Sequence, residues 1–587
     1  MKMNDKGPFF DEETRHNINM WLEGSYDEET KAEVRRMVEE CPQDAIDAFY
    51  TSLTFGTAGL RGIMGPGTNR VNGYVIRQAT QGLANFINRQ SGGEKSVFIS
   101  YDSRHHSRFF AEETAKVFAA NGIKVYIVKE LRPVPMVSFG TRYKKCSAGV
   151  MITASHNLPQ YNGYKVFGAD GVQIRSPQDV QIIEEVRKIT DLQSVKSVEI
   201  DNSLIRWVGD EIDEAYLCAI DPLMTFPEET RRDGAALKIV YTPLHGAGVT
   251  MVPRALKRWG FTQLLLVKEQ AQPDGAFPTV NKPNPGEWAA MQMGIEYLTR
   301  ENADLLIGTD PDDDRMGVGV IEKGIPYLFT GNQIACIALY YICSSLKKKE
   351  ALPQKAAFVK SIVTTELFKA IADSFDTLCV DVLTGFKYIG AQIEEWEADP
   401  DGYHYLYGGE ESYGTLRGIH ARDKDAIVAP CLLAEAALYA KKEGKTLLGL
   451  LYEIYEKCGV YRESVASLTF EGKAGKEKMA GMMAAMREDP PKAFMDISVV
   501  CLEDFLSSQR ILFKEGKEEP LPFPTSDVLL FWLEDGTKIV VRPSGTEPVI
   551  KLYCGVVEKR FDDVQQAIDA CDIKLEALLS ALQNSLT

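Results

Sequence analysis

Positive charge is scarce in this sequence. Against 83 Asp and Glu stand 66 Lys and Arg, giving a net charge of −17 and a pI near 5.1. A chain that acidic repels nucleic-acid phosphates and anionic lipid, so neither a nucleic acid nor a membrane is expected as a partner. It can hold a small phosphate only where Arg and Lys cluster locally. The eleven Cys are scattered, with no C-x-x-C pair and no finger-like Cys/His spacing. That excludes a zinc module and fits reduced thiols in the cytoplasm. Long hydrophobic runs are also missing. Residues 1–15 contain no apolar leader core, and no stretch reaches the ~18 apolar residues of a membrane helix. The stretch 427–439 is broken by Pro430 and Glu435 and reads as a buried helix. Neither a P-loop nor a G-x-S-x-G elbow occurs, which sets aside the common nucleotide-cradling loop and the common serine-hydrolase turn.

What remains is a globular composition, 45% hydrophobic and 25% charged. The length of 587 residues predicts about three to five domains of ~100–200 residues each. Residues 1–50 read as a helical extension. Trp21 and Leu22, Val34 and Met37, then Ala45, Ile46 and Phe49 recur at near-helical spacing, punctuated by Gly24 and Pro42. From Thr51 strands and helices alternate. Strands are expected at 97–101, 124–128 and 148–153, again at 237–241, 264–267 and 304–308, and again at 356–361, 378–383 and 405–408. That rhythm predicts mostly parallel sheets covered by helices. Each third strand runs into a polar loop, which suggests a composite site between domains. The tail has strands at 531–533, 538–542 and 549–556 without helices between them, then a closing helix at 562–582. The expected fold is α/β: three similar mixed α/β domains (51–222, 223–329 and 330–460) plus a smaller C-terminal α+β domain (461–587) around a central cleft.

Four loops carry the chemistry. Residues 149–157, Gly-Val-Met-Ile-Thr-Ala-Ser-His-Asn, read as a buried strand ending in a tight turn. Ser155 thereby reaches the carboxyl end of a strand, where open α/β sheets place their ligands. It is a nucleophile, a phosphate ligand or a turn-former. His156 is not expected to be its base, because adjacent side chains diverge, but it remains a candidate phosphate contact. In 309–315, Thr-Asp-Pro-Asp-Asp-Asp-Arg, the alternating Asp310, Asp312 and Asp314 can turn toward one point in a curled loop. Three hard oxygen ligands suit Mg²⁺. A calcium EF-hand is excluded, since counting from Asp310 the sixth position is Arg315 and the twelfth Ile321. In 542–548, Arg-Pro-Ser-Gly-Thr-Glu-Pro, Gly545 lets backbone N–H groups converge, and Ser544 and Thr546 add hydroxyls. Arg542 grips two oxygens and Lys551 lies just beyond, an anion cradle most simply for phosphate. In 409–414, Gly-Glu-Glu-Ser-Tyr-Gly, two carboxylates and a hydroxyl suit a polyol, although surface glutamates would read the same way. Residues 384–387 are a weaker signal, and 420–425, His-Ala-Arg-Asp-Lys-Asp, read as a solvated charged face.

Together and in this order, these loops resemble the α-D-phosphohexomutase family, the phosphoglucomutases and phosphomannomutases. Residues 55–62, Phe-Gly-Thr-Ala-Gly-Leu-Arg-Gly, are similar to the family's opening loop. The helical extension and residues 272–280 look like the longer branch, which includes phosphoglucomutases and phosphopentomutases. The resemblance implies a heart-shaped, four-domain molecule. It implies that Ser155 carries a phosphoryl group and that Asp310, Asp312, Asp314 and a phosphoserine oxygen hold Mg²⁺. Lys165 matches the general acid/base position, with Arg61 alongside, and its pKa is expected to be lowered by arginine neighbours and burial. His420 and Lys424 match residues of the cleft. Arg315, Thr384 and Gly385 fall among the substrate contacts, and Glu410 and Ser412 would read sugar hydroxyls. Arg542, Ser544, Gly545, Thr546 and Lys551 would bind the non-reacting phosphate. The sequence departs from the family pattern at Leu158, where proline is usual, and at Lys551, where arginine is common.

The implied activity is interconversion of glucose 1-phosphate and glucose 6-phosphate, primed by glucose 1,6-bisphosphate. Mannose and pentose phosphates are the alternative substrates. A phosphatase with an aspartate nucleophile and a non-catalytic sugar-phosphate sensor are the rival readings. The expected protein is a cytoplasmic monomer or homodimer acting on small-molecule sugar phosphates.

Overall fold

The computed structural model describes residues 10–53, 59–470, 472–544 and 549–586. It forms two compact units, Met1–Phe329 with Gly414–Leu438, and Thr330–Tyr413 with Tyr439–Thr587.

The first unit opens with three helices, Glu12–Glu23, Glu28–Glu40 and Pro42–Phe49. Asp11 and Asp27 cap the first two by accepting from the N–H groups of Thr14 and Thr30. Pairs of Glu then occupy both first turns, at the positive end of each helix dipole. Pro42 starts the third, where a missing N–H costs nothing. Their apolar faces close on one another, burying Phe10, Ile18, Trp21, Val34, Ala45 and Phe49. Tyr74, from the helix Gly73–Arg89, packs on this cluster and donates its hydroxyl to Asp27. The extension is thereby fastened to the first sheet domain.

Two sheets follow in this unit. In spatial order the first runs Leu60–Ile63, Tyr161–Gly168, Ala148–Ile152, Ser96–Tyr101, Lys124–Val128 and Ile205–Val208. The second runs Ile325–Leu328, Met316–Glu322, Leu305–Thr309, Ile239–Thr242 and Leu264–Leu266. The second unit repeats the plan with Leu378–Val382, Ala356–Ser361 and His404–Gly409. The common plan is a central strand flanked by two parallel partners: Ser96–Tyr101 between Lys124–Val128 and Ala148–Ile152, Ile239–Thr242 between Leu264–Leu266 and Leu305–Thr309, and Ala356–Ser361 between Leu378–Val382 and His404–Gly409. Every residue of Ser96–Tyr101, Ala148–Ile152, Leu305–Thr309 and Ala356–Ser361 is buried. Unbroken burial is the mark of strands covered on both faces. The shared plan carries the ends of the three equivalent strands, Ile152, Thr309 and Gly409, directly into the three polar loops.

The second unit ends in an antiparallel sheet of Val460–Thr469, Val549–Glu558, Lys538–Pro543, Leu529–Leu533, Ile497–Asp504, Gln509–Leu512 and Lys517–Pro520. Its core is continuous with that of the preceding domain: Ile362, Val363 and Leu383 bury against Phe505, Val528 and Val540. Lys360 and Lys538 are both buried on Glu366, with Nζ–Oε1 distances of 2.9 and 2.6 Å. The helix expected at 427–439 spans Val428–Lys442. A 3₁₀ turn, Ala247–Thr250, precedes the helix Val252–Trp259, where Pro253 suits a first turn but not a helix interior. Among the described residues no helix is long and apolar enough to cross a membrane.

Candidate active site

Ser155 lies three residues beyond the strand Ala148–Ile152 and adopts φ of +51°. Its N–H donates to Thr153 Oγ1 at 2.8 Å. Its hydroxyl donates to Asp310 Oδ2 at 2.7 Å and lies 3.1 Å from His156 Nδ1. The expectation that His156 diverges from Ser155 is therefore corrected. The left-handed backbone at Ser155 swings neighbouring side chains to the same side, which extended backbone does not do. Burial, then the cations Arg315, Arg61 and Lys282, hold the His156 pKa well below its usual value, so the ring is neutral. Gly163 on the adjacent strand has no room for a side chain, since a Cβ there would lie 2.6 Å from Thr153 O and from Leu60 O.

The three aspartates occupy the loop between the antiparallel strands Leu305–Thr309 and Met316–Glu322, where Thr309 faces Met316. Asp310 Oδ1 accepts from the N–H groups of Asp314 and Arg315, both at 3.0 Å, and this curls the loop. Asp310, Asp312 and Asp314 each bring a carboxylate oxygen within 4.8 Å of the others, all buried. Asp312 Oδ1 and Asp314 Oδ1 are buried without a hydrogen-bond partner. A converging set of hard oxygens with unused lone pairs fits a small divalent cation.

Lys165 sits in the strand Tyr161–Gly168, opposite Met151. Its Nζ reaches Asp312 Oδ2 at 2.7 Å and Asp314 Oδ2 at 3.1 Å. Burial pulls its pKa down, but these two carboxylates outweigh burial, so the net shift is upward. The expected lowering is thus reversed, because the near neighbours of the ammonium are aspartates as well as cations. Arg61 faces Gly163 across the sheet and donates to Asn157 Oδ1 at 3.3 Å. Lys424 Nζ lies 3.2 Å from Asp314 Oδ2. His420 Nε2 meets Asp425 Oδ2 at 2.6 Å, and Tyr216 donates to the same oxygen. His420 Nδ1 is buried without a hydrogen-bond partner. The segment 420–425 is accordingly no solvated face. Arg422, Asp423, Lys424 and Asp425 are all buried, because every charge has a partner or a close counter-ion.

In the second unit, Glu410 Oε1 accepts from the N–H of Gly385, whose φ of +115° suits glycine. Thr384 and Ser412 are half-buried. Ser361 donates to Glu411 Oε2 at 3.3 Å. Burial and the charge of Glu410 push the Glu411 pKa up to about 7, with Lys551 and Arg542 near enough to oppose them. Arg542 and Lys551 face each other on paired strands. Ser544 N–H donates to Val549 O at 2.7 Å, closing the base of the phosphate-type loop. Gly545 and Thr546, like 54–58 of the opening loop, lie outside the described residues.

Residues 52–193, 214–323, 330–458 and 492–570 match, in order, the alpha/beta/alpha domains I, II and III and the C-terminal domain of phosphoglucomutase/phosphomannomutase. Phosphoglucomutase of Staphylococcus epidermidis is 35% identical over 558 residues, covering 94% of this chain and 98% of that one. The chain belongs to the phosphoglucomutase/phosphomannomutase family. Phosphoglucomutase of Staphylococcus haemolyticus is also 35% identical, over 522 residues, covering 89% and 93%. Parafusin, a phosphoglucomutase from Paramecium, shares the fold with a TM-score of 0.66 at 16% identity, over 91% of this chain and 96% of that one. A family protein from Burkholderia thailandensis gives 0.61 at 17% identity, over 89% and 96%.

Within this phosphoglucomutase/phosphomannomutase chain, sequence reasoning passed over one buried cation. Arg104 Nη1 donates to Leu158 O at 2.8 Å and Tyr161 O at 3.0 Å, and Nη2 donates to Ser155 O at 2.6 Å and to Asn157 O. One guanidinium thus gathers the carbonyls of the serine loop, and Asp102 balances its charge at 3.5 Å. Arg104 lies 51 residues before Ser155 in the chain, and only its place just after the strand Ser96–Tyr101 hinted at a role.

Proposed function

We propose that this chain is a phosphoglucomutase, an intramolecular phosphotransferase that interconverts glucose 1-phosphate and glucose 6-phosphate through a phosphorylated Ser155. The observation that carries the reading is the Ser155 hydroxyl lying 2.7 Å from Asp310 inside a buried aspartate trio. Glucose is favoured over mannose or pentose phosphates because the relatives that match nearly the full chain are named phosphoglucomutases.

In the proposed cycle, a sugar hydroxyl gives up its proton and attacks phosphorus on phosphorylated Ser155, the phosphorus–Oγ bond breaks with Oγ taking up a proton, and a bisphosphorylated sugar forms. Its other phosphate then returns to Ser155, whose hydroxyl must lose a proton to attack. Asp310 Oδ2 already accepts that hydrogen bond, and neutral His156 Nδ1 is the second acceptor within reach. Lys165 and Lys424 serve as fixed cations beside the transferring group. Arg61 and Arg315 add charge, and His420, oriented by Asp425, presents an open ring nitrogen. Glu410 and Ser412, with Thr384 and Gly385, read hydroxyls. Arg542, Ser544, Gly545, Thr546 and Lys551 hold the spectator phosphate. Asp310, Asp312, Asp314 and Ser155 would hold Mg²⁺, which when bound draws charge from the phosphoryl oxygens and the leaving serine oxygen. Phosphate monoesters need roughly 20 kcal/mol of barrier reduction. One preorganised donor supplies about 3 kcal/mol, so many fixed charges are required together. We place the domain boundaries at 51–222, 223–329, 330–460 and 461–587, and the protein in the cytoplasm, where its eleven free cysteines stay reduced.

Intact-protein mass and turnover of glucose 1-phosphate, primed with glucose 1,6-bisphosphate, test this on wild type and Ser155→Ala. The expected result is loss of both the phosphate adduct and turnover in the variant. Retained turnover would rule the proposal out. Parallel kcat/KM values for glucose, mannose and ribose 1-phosphates decide the substrate.

A further inference from the structure

Away from these residues, the helical extension leaves a cavity of about 530 Å³ against the first sheet domain. Close-packed interiors hold few voids larger than a water molecule, whereas small-molecule sites run from about 300 to 1,000 Å³. Trp21, Tyr26 and Tyr74 line it as a connected aromatic set. Trp21 and Tyr26 stack at 4.2 Å, and Tyr26 meets Tyr74 edge-on at 4.7 Å. Trp21 is buried behind the two tyrosines, and Tyr26 and Tyr74, partly exposed and already fixed in place, offer ring surface to a further flat ring at little entropic cost.

The charge of the lining is the second observation. In a chain of net charge −17, the described residues lining this cavity include Arg187 and His16 but no Asp or Glu. Both are exposed, and neither side chain makes a hydrogen bond or ion pair among the described residues. Gln78 and Thr190 supply polar groups beside them.

We propose that this cavity is a second small-molecule site, for a flat aromatic ring system carrying one anionic group. The ring lies against Tyr26 and Tyr74, with the buried Trp21 behind them, and the anion meets Arg187 and His16. Leu53, also in the lining, packs on Gly62, where a Cβ would approach Leu53 Cδ1 to 3.1 Å. An occupant therefore touches the packing of the strand Leu60–Ile63, which carries Arg61.

The test uses the full chain and a fluorescent aromatic anion, 8-anilinonaphthalene-1-sulfonate, with uncharged N-phenyl-1-naphthylamine as a control of similar shape. Adenosine 5′-monophosphate serves as competitor. One saturable sulfonate site per chain is expected, displaced by the nucleotide. Arg187→Glu should weaken sulfonate binding about ten-fold or more while sparing the neutral dye, as a reversed charge at short range requires. Val75→Trp, which fills the cavity from the helix Gly73–Arg89, should abolish both. If Val75→Trp does not fold, Thr190→Trp on the exposed part of the lining replaces it. Absence of saturable binding, or binding indifferent to the filling variant, overturns the site. Sulfonate binding indifferent to Arg187→Glu overturns the anionic class, and so does failure of the nucleotide to compete.

Discussion

Ser155 keeps its left-handed backbone because Arg104 gathers the carbonyls around it. That arrangement ties activity to a residue that need not touch substrate. Arg104→Met leaves Asp102 buried without its counter-charge and several carbonyls without donors, a loss of about 3–5 kcal/mol. Arg104→Lys recovers little of it, since one ammonium cannot reproduce the planar fork. Thermal melting of both variants beside wild type checks this, and a melt unchanged in Arg104→Met would refute it. At Glu411 the folded pKa of about 7 lies above the ordinary 4.5. The folded state therefore holds its proton to higher pH than the unfolded chain. The resulting penalty is absent below about 4.5, grows as pH rises, and is complete above about 7. Between pH 5.5 and 8, Glu411→Gln should gain on the order of 2 kcal/mol over wild type, read from denaturant midpoints at each pH. The reacting serine and the aspartate trio were legible because alternation and strand ends are local facts. Arg104, Asp425 and the contact of His156 with Ser155 were not, because each depends on a backbone angle or on a distant partner.

At the scale of elements, the strand–helix rhythm found the three central parallel strands of each repeated sheet within two residues, but missed Leu60–Ile63, Tyr161–Gly168, Ile205–Val208, Met316–Glu322 and Ile325–Leu328, which flank them. Buried parallel strands announce themselves as apolar runs, and their ends as polar loops. Which strand lies beside which is set by right-handed crossovers rather than by composition, so the common spatial order was not readable from the runs themselves. The N-terminal helices were found from their apolar spacing, but the cavity they leave is a property of how they dock. Trp21 anchors that docking through Tyr26, Phe49 and Tyr74. Trp21→Ala should cost about 3–5 kcal/mol locally. Limited proteolysis should then cut within 12–49 at protease levels that spare wild type, and equal resistance would show that the anchor lies elsewhere.

Across the whole molecule, the third and fourth family segments share one core. Ile362, Val363 and Leu383 depend on Phe505, Val528 and Val540 for cover, and Glu366 on Lys538 for half its charge balance. A chain stopped after residue 460 should therefore expose apolar surface and be recovered mainly as aggregate, while a chain lacking only residues 1–50 should keep this core intact. Soluble yield of the two truncations decides, and a soluble, monodisperse first truncation would contradict the shared core. The backbone passes from one compact unit to the other after Phe329, after Tyr413 and after Leu438. Three peptide threads therefore join the two, and a protease that severs any single one of them releases neither half.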